Sequence, residues 1–143
     1  MNPLSDHQLK LHHVGYVVSD IEKAAAGFAG SVGARWDGKI VADPLQGARV
    51  SFLTMGPEDA QIELVEPDSP GAPTARFLRE KGAGLHHLCY EVRDLTATLQ
   101  AMRAAGSLLA KPPKPAAAFG GRRIAWLLTP ERLLLELLET EAN

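Results

Sequence analysis

Two histidines and two glutamates stand in matching places in this chain: His13 and Glu63 in the first half, His87 and Glu136 in the second. The interval from histidine to glutamate is 50 residues in one half and 49 in the other. Neutral imidazole nitrogens and carboxylate oxygens are donors that borderline divalent ions accept. A set of two His and two Glu suits Co, Zn, Ni, Mn or Fe and leaves positions open for water or substrate. A single histidine in a strand is ordinarily a surface or hydrogen-bonded core residue, but here the same pair occurs twice. The expectation is one divalent metal ion per site, held by His13, Glu63, His87 and Glu136. The neighbours His12 and His86 point away from these two along their strands and are read as packing residues. Glu66 and Glu139 also match across the halves and are read as solvated groups near strand ends.

The elements that must carry these residues are written twice. Residues 11–18 read Leu-His-His-Val-Gly-Tyr-Val-Val and residues 85–92 read Leu-His-His-Leu-Cys-Tyr-Glu-Val, both suited to strands. Each is followed by a stretch with helical spacing. The first, 20–32, repeats Ile21, Ala24, Ala25 and Phe28, and the second, 94–105, repeats Leu95, Thr98, Leu99 and Met102. Ser19 or Asp20 is expected to cap the first helix and Asp94 the second, with Gly33 and Gly106 just past the ends. Strands are expected at 34–41, 49–54 and 61–66, then at 107–110, 122–128 and 133–139. Each half thus reads as strand, helix, then three strands. Alternation puts Glu63 on one face with Gln61 and Val65, and Glu136 on one face with Leu134 and Leu138. A carboxylate within such a Leu-rich strand is costly to bury without compensation, and a cation supplies it. Between the halves, 68–84 is a Pro-rich linker with a short helix at 74–81 ending at Gly82. The Pro-rich segment 111–121 is expected to be a rigid connection or a loop that closes over the site.

Composition bounds the function. A chain of 143 residues suits one domain with a sizeable core. The formal net charge is -2 and Arg122-Arg123 is the only adjacent basic pair, so a nucleic-acid surface is not expected. Cys89 is the only cysteine, which rules out an internal disulfide and favours a reducing compartment. No apolar run approaches the roughly 20 residues of a membrane span, and residues 1–7 lack the pattern of a signal peptide. A cytoplasmic protein is expected, with no membrane partner.

Three segments carry a family resemblance. Asp68-Ser-Pro, Phe77-Leu78 and Gly82-Ala-Gly-Leu-His-His87 resemble the linker and fifth strand of methylmalonyl-CoA epimerases. Gly120-Gly-Arg-Arg-Ile-Ala-Trp-Leu-Leu-Thr-Pro130 resembles their seventh strand, and Gln61-Ile-Glu63-Leu-Val-Glu-Pro67 their fourth. From Lys10 to Glu139 the chain resembles the vicinal oxygen chelate superfamily, the group of glyoxalases, bleomycin resistance proteins and extradiol dioxygenases. The resemblance implies an α+β fold of two tandem βαβββ modules forming a curved mixed sheet around a metal site. Module one would span about 10–67, the linker 68–84 and module two about 85–140, all in a single domain, 1–143. The same four residues fall on the family's ligand positions, and a homodimer is implied.

The reaction implied by the resemblance is an isomerisation of the epimerase type. It would remove and return the α-proton of an acyl-CoA thioester through a metal-stabilised enolate. Glu136 is then expected to move the proton as well as bind metal, with Glu63 its counterpart on the opposite face. Arg122 or Arg123 would meet an acyl carboxylate or a CoA phosphate. A glyoxalase-like lyase or isomerase on a thiol adduct would use the same ligands. A dioxygenase would ordinarily take two His and one carboxylate, and a non-enzymatic binding or resistance protein would need only the pocket. Two departures stand out. One epimerase branch has a glutamate, proposed as a base, where this chain has Val50. The connection Pro130-Glu-Arg-Leu133 is also shorter than the family's glycine-containing turn.

Overall fold

The computed structural model describes Leu4 and residues 9–141. These residues form nine strands and three helices, the expected α+β architecture. Module one comprises β1 (Lys10–Val17), α1 (Ile21–Val32), β2 (Arg35–Trp36), β3 (Val41–Asp43), β4 (Ala48–Thr54) and β5 (Gln61–Pro67). The linker helix α2 (Pro73–Lys81) follows. Module two comprises β6 (Gly84–Val92), α3 (Leu95–Ala104), β7 (Leu108–Pro115), β8 (Arg123–Leu128) and β9 (Leu134–Glu139). The described residues divide into two compact units, one of residues 13–86 and the other of residues 87–141 with residues 9–12 and Leu4.

In the unit of residues 13–86 the strand order is β2-β4-β5-β1, with β3 also on β4. β1 runs parallel to β5, as a strand–helix crossover requires, and the other pairings are antiparallel. α1 begins where Asp20 accepts a hydrogen bond from the Lys23 amide at 3.1 Å, and it ends at Gly33, which takes the left-handed conformation (φ 71°). Its apolar stripe covers one face of the sheet. Val18, Ile21, Ala25, Ala34, Leu53 and Leu64 form the core there. Leu53 and Leu64 are fully enclosed, each worth at most about 1.5–3 kcal/mol of burial.

The other unit repeats the plan. Its strand order is β6-β9-β8-β7, with β6 parallel to β9 and the remaining pairs antiparallel. Asp94 caps α3 by accepting from the Ala97 amide at 3.0 Å. Val92, Leu95, Leu99, Met102, Ala125, Leu127, Leu135 and Leu137 form the core under α3. The odd-numbered leucines of β9 therefore face the helix, and Leu134, Glu136 and Leu138 face the other way.

Three expectations need correction. The strand expected at 34–41 is broken into β2 and β3, because Asp37 and Gly38 make a turn between them. Gly38 has φ 81° and Asp37 accepts from the Lys39 amide at 2.9 Å. The Pro-rich segment 111–121 is not one loop: residues up to Pro115 extend β7 along β8, and a short 3-10 turn follows at Ala117–Phe119. Proline is tolerated there because β7 closes one end of its unit's strand order and owes hydrogen bonds on one side only. Third, Glu66 and Glu139 are not simply solvated. Glu66 accepts from Arg49 at 2.9 Å and from the Ile21 amide at the start of α1 at 3.0 Å, and Glu139 accepts from Arg123 at 2.6 Å. No helix among the described residues is long and apolar enough to cross a membrane.

Candidate metal centre

Each module builds one histidine–glutamate pair on the sheet face opposite its helix. In module one, the parallel register sets Gly15 beside Glu63, so His13, two residues back on β1, shares a face with that carboxylate. His13 Nε2 stands 3.4 Å from Glu63 Oε1, and the two residues are 0% and 5% exposed. Phe52 lies directly across from Glu63 on β4 and sets its ring edge-to-face on His13, centroids 5.5 Å apart. In module two, Cys89 stands beside Glu136, and His87, again two residues back, shares that face. His87 Nε2 lies 3.4 Å from Glu136 Oε1, at 5% and 2% exposure. Trp126, across from Glu136 on β8, packs edge-to-face on His87 at 4.7 Å.

The 3.4 Å separation, found in both modules, is informative. It is longer than the 2.7–3.2 Å of a well-formed N–H···O hydrogen bond. Two donors each about 2.1 Å from a shared ion at a tetrahedral angle stand about 3.4 Å apart. Each pair thus has the spacing of two ligands on one ion. A carboxylate buried to this degree costs several kcal/mol without a compensating charge. Within each module the His–Glu pair therefore fits a borderline divalent cation on both spacing and charge.

Sequence reasoning overlooked Phe52 and Trp126. Both stand 39 residues after their histidine, so the repeat that paired the histidines and glutamates also marks these rings. Each packs edge-to-face against an imidazole, the kind of surrounding contact that can orient a metal-binding histidine. His12 and His86 do pack against aromatic rings, on Phe119 at 5.5 Å and Phe77 at 5.1 Å.

The two arginines lie elsewhere on module two. Arg122 donates to Glu91 at 3.0 Å and to the Glu139 carbonyl at 3.3 Å. Arg123 is half-exposed and donates to Glu139, which holds its guanidinium pKa above the ordinary value through that hydrogen bond and the attendant charge. The same ion pair occurs in module one between Arg49 and Glu66. Neither arginine contacts the His87–Glu136 pair directly in the hydrogen bonds and ion pairs they make.

Val50 is buried on the face that carries Glu63, with Val41 and Val65 as its cross-strand neighbours. No proton-transfer group occupies that position. The short turn between β8 and β9 closes without glycine because Arg132 itself takes φ 70°. Its amide donates to the Thr129 carbonyl at 2.8 Å, and the Leu133 amide donates to Thr129 Oγ1 at 3.1 Å.

A family model described as the glyoxalase/bleomycin resistance protein/dioxygenase superfamily matches residues 12–126. The chain is 34% identical over 119 residues to the ethylmalonyl-CoA/methylmalonyl-CoA epimerase of Cereibacter sphaeroides, an alignment covering 82% of this chain and 87% of that protein. It is 35% identical over 95 residues to the mitochondrial methylmalonyl-CoA epimerase of Homo sapiens, covering 66% of this chain and only 52% of that protein. Among solved structures, methylmalonyl-CoA epimerase from Mycobacterium tuberculosis matches with a TM-score of 0.83 at 26% identity, covering 96% of this chain and 93% of that one.

Proposed function

Because the chain belongs to the glyoxalase/bleomycin resistance protein/dioxygenase superfamily, we propose that it is a metal-dependent epimerase that inverts the α-carbon of an acyl-CoA thioester of the methylmalonyl type. The observation that carries this reading is the buried His–Glu pair built at the same register in both modules. His13, Glu63, His87 and Glu136 would together hold one divalent cation. Bound there, the cation would draw off the negative charge that develops on the thioester oxygen as the α-proton leaves. The identity to an enzyme named for ethylmalonyl-CoA and methylmalonyl-CoA supports the substrate class.

Inversion requires a proton to leave one face of the α-carbon and return to the other. Two groups must do this, and each module offers one carboxylate on its site face. Glu136 is assigned the removal of the proton at one carboxylate oxygen, and Glu63 its return to the α-carbon. Val50 makes Glu63 the natural choice, since the apolar neighbours of Val50 leave no other acid at that position. Phe52 and Trp126 pack edge-to-face against the two imidazoles and hold them in place. Arg123, half-exposed, is available to an anionic part of the substrate if Glu139 releases it.

The test is solvent deuterium exchange at the α-carbon of methylmalonyl-CoA, with metal-loaded protein and succinyl-CoA as the unbranched comparison. Wild-type protein is expected to exchange the branched substrate. Glu136→Gln should reduce the rate by about 10²–10⁴, and Glu63→Gln should preserve exchange of one epimer while losing inversion. Exchange no faster than the protein-free rate would refute the reading. The glyoxalase members of the same superfamily supply a second reading, isomerisation of a thiol adduct with the same four residues. Turnover of a glutathione hemithioacetal, without exchange of methylmalonyl-CoA, would select it.

A further inference from the structure

We propose that Lys111 and Lys114, on β7, form a cationic clamp for the anionic end of the substrate. The inference rests on the reading of the site as an acyl-CoA enzyme. Its basis is an irregularity in strand pairing. Leu109 pairs with Leu127, whose side chain lies in the core under α3. Strict alternation would turn Lys111 to that same apolar face and Lys114 to the other. Instead the register slips by one residue between Leu109 and Lys111, and by one more between Lys111 and Lys114. Each slip exchanges the two faces for the residues beyond it. Lys111 thus comes opposite Trp126, and Lys114 comes opposite Ile124.

Paired residues of antiparallel strands share a face. Trp126 packs on His87 and is itself opposite Glu136. Both lysines therefore stand on the face that carries the His87–Glu136 pair. Measured along the partner strand they are two residues apart, about 7 Å, and Lys111 is two strand spacings, about 10 Å, from Glu136. Pro112 and Pro113 fill the second bulge, where neither needs to donate to β8.

Charge accounting points the same way. Arg49, Arg76, Arg122 and Arg123 are each satisfied by a carboxylate of the chain. Among the ion pairs of the described residues neither Lys111 nor Lys114 takes part; the same holds for the exposed Lys23, Lys39 and Arg103, from which Lys111 differs in being partly buried. Two like charges on neighbouring positions of one face repel unless an anion lies between them. A phosphate or carboxylate oxyanion reaching outward from the thioester would supply it. Two parts of the substrate qualify, the phosphates of CoA and the free carboxylate of the acyl group.

The experiment is calorimetric binding of free CoA, pantetheine and methylmalonate to metal-loaded protein, with wild type compared to the Lys111→Ala/Lys114→Ala double variant. The expected result is a loss of CoA affinity of about tenfold per lysine, with pantetheine unchanged and the Lys111→Arg/Lys114→Arg variant restored. Weakening confined to methylmalonate would also support the clamp and assign it to the acyl carboxylate. Wild-type binding of CoA and methylmalonate that the double variant retains in full would overturn it, as would failure of wild type to bind either probe. Should the double variant fold poorly, Lys111→Gln alone carries the same comparison. Lysine-dependent CoA binding without α-proton exchange would sink the epimerase reading and leave the clamp standing.

Discussion

Replacing Glu136 by glutamine should change stability in opposite directions with and without metal. The carboxylate is 2% exposed and lies between Leu134 and Leu138 on its strand face. His87 Nε2 lies 3.4 Å from Glu136 Oε1, and a neutral imidazole there brings no positive charge against the buried carboxylate. Glutamine keeps the shape and removes the charge, leaving no cavity. In chelator, at a pH where both imidazoles are neutral, the variant should be more stable by about 1–2 kcal/mol, at the low end for replacing buried charges by neutral groups. Metal reverses the order. At a free concentration of 100 times its Kd, an ion stabilises the wild type by about 2.7 kcal/mol. If the variant binds a hundredfold more weakly, the same concentration only matches its Kd and contributes about 0.4 kcal/mol. The gain from metal should thus differ by about 2 kcal/mol, or about 4–8 °C in Tm for a chain of this size. Denaturant unfolding of both proteins in chelator and in excess Co, Zn, Ni or Mn reads both signs. Lowering the pH should erase the wild-type gain, because ligation requires neutral imidazole. The reasoning fails if the variant is less stable than wild type in chelator, or if metal raises both proteins equally.

Two further outcomes are expected from the same geometry. Trp126→Ala and Phe52→Ala should each weaken metal binding about 10–100-fold, since each removes the ring that orients a ligand imidazole; metal titration would show no change if the rings were only filler. Gly47→Ala should destabilise the protein by about 1–2 kcal/mol, because Gly47 has φ 67° and an added Cβ would come within 3.3 Å of the Ala72 Cβ; an unchanged denaturation midpoint would contradict this.

Much of the plan was legible in the amino-acid order, because repetition and alternation are local properties. The doubled Leu-His-His segments placed His13 and His87 on equivalent strands, and period-two alternation put Glu63 and Glu136 opposite the core leucines. Asp20 and Asp94 were readable as caps because capping spans only a few residues. The same repeat carried Phe52 and Trp126, although their role is visible only once the antiparallel register sets them across from the glutamates. Pairings between distant residues were not legible. Arg49 with Glu66 and Arg123 with Glu139 depend on which strands become neighbours, so glutamates that looked solvated are engaged. The division of 34–41 into two short strands depended on a single turn at Asp37 and Gly38.

The chain's own order therefore determined the module plan, the four ligand-type residues and the side of each strand on which they stand, because these arise from period and composition. Tertiary structure alone decided how close each histidine comes to its glutamate and which rings hold it. It also decided that the first slip in β7 turns Lys111 to the site face and that the second returns Lys114 to that same face. Register is the physical reason: it is set by pairing between strands, and one extra residue reverses the direction of every side chain beyond it.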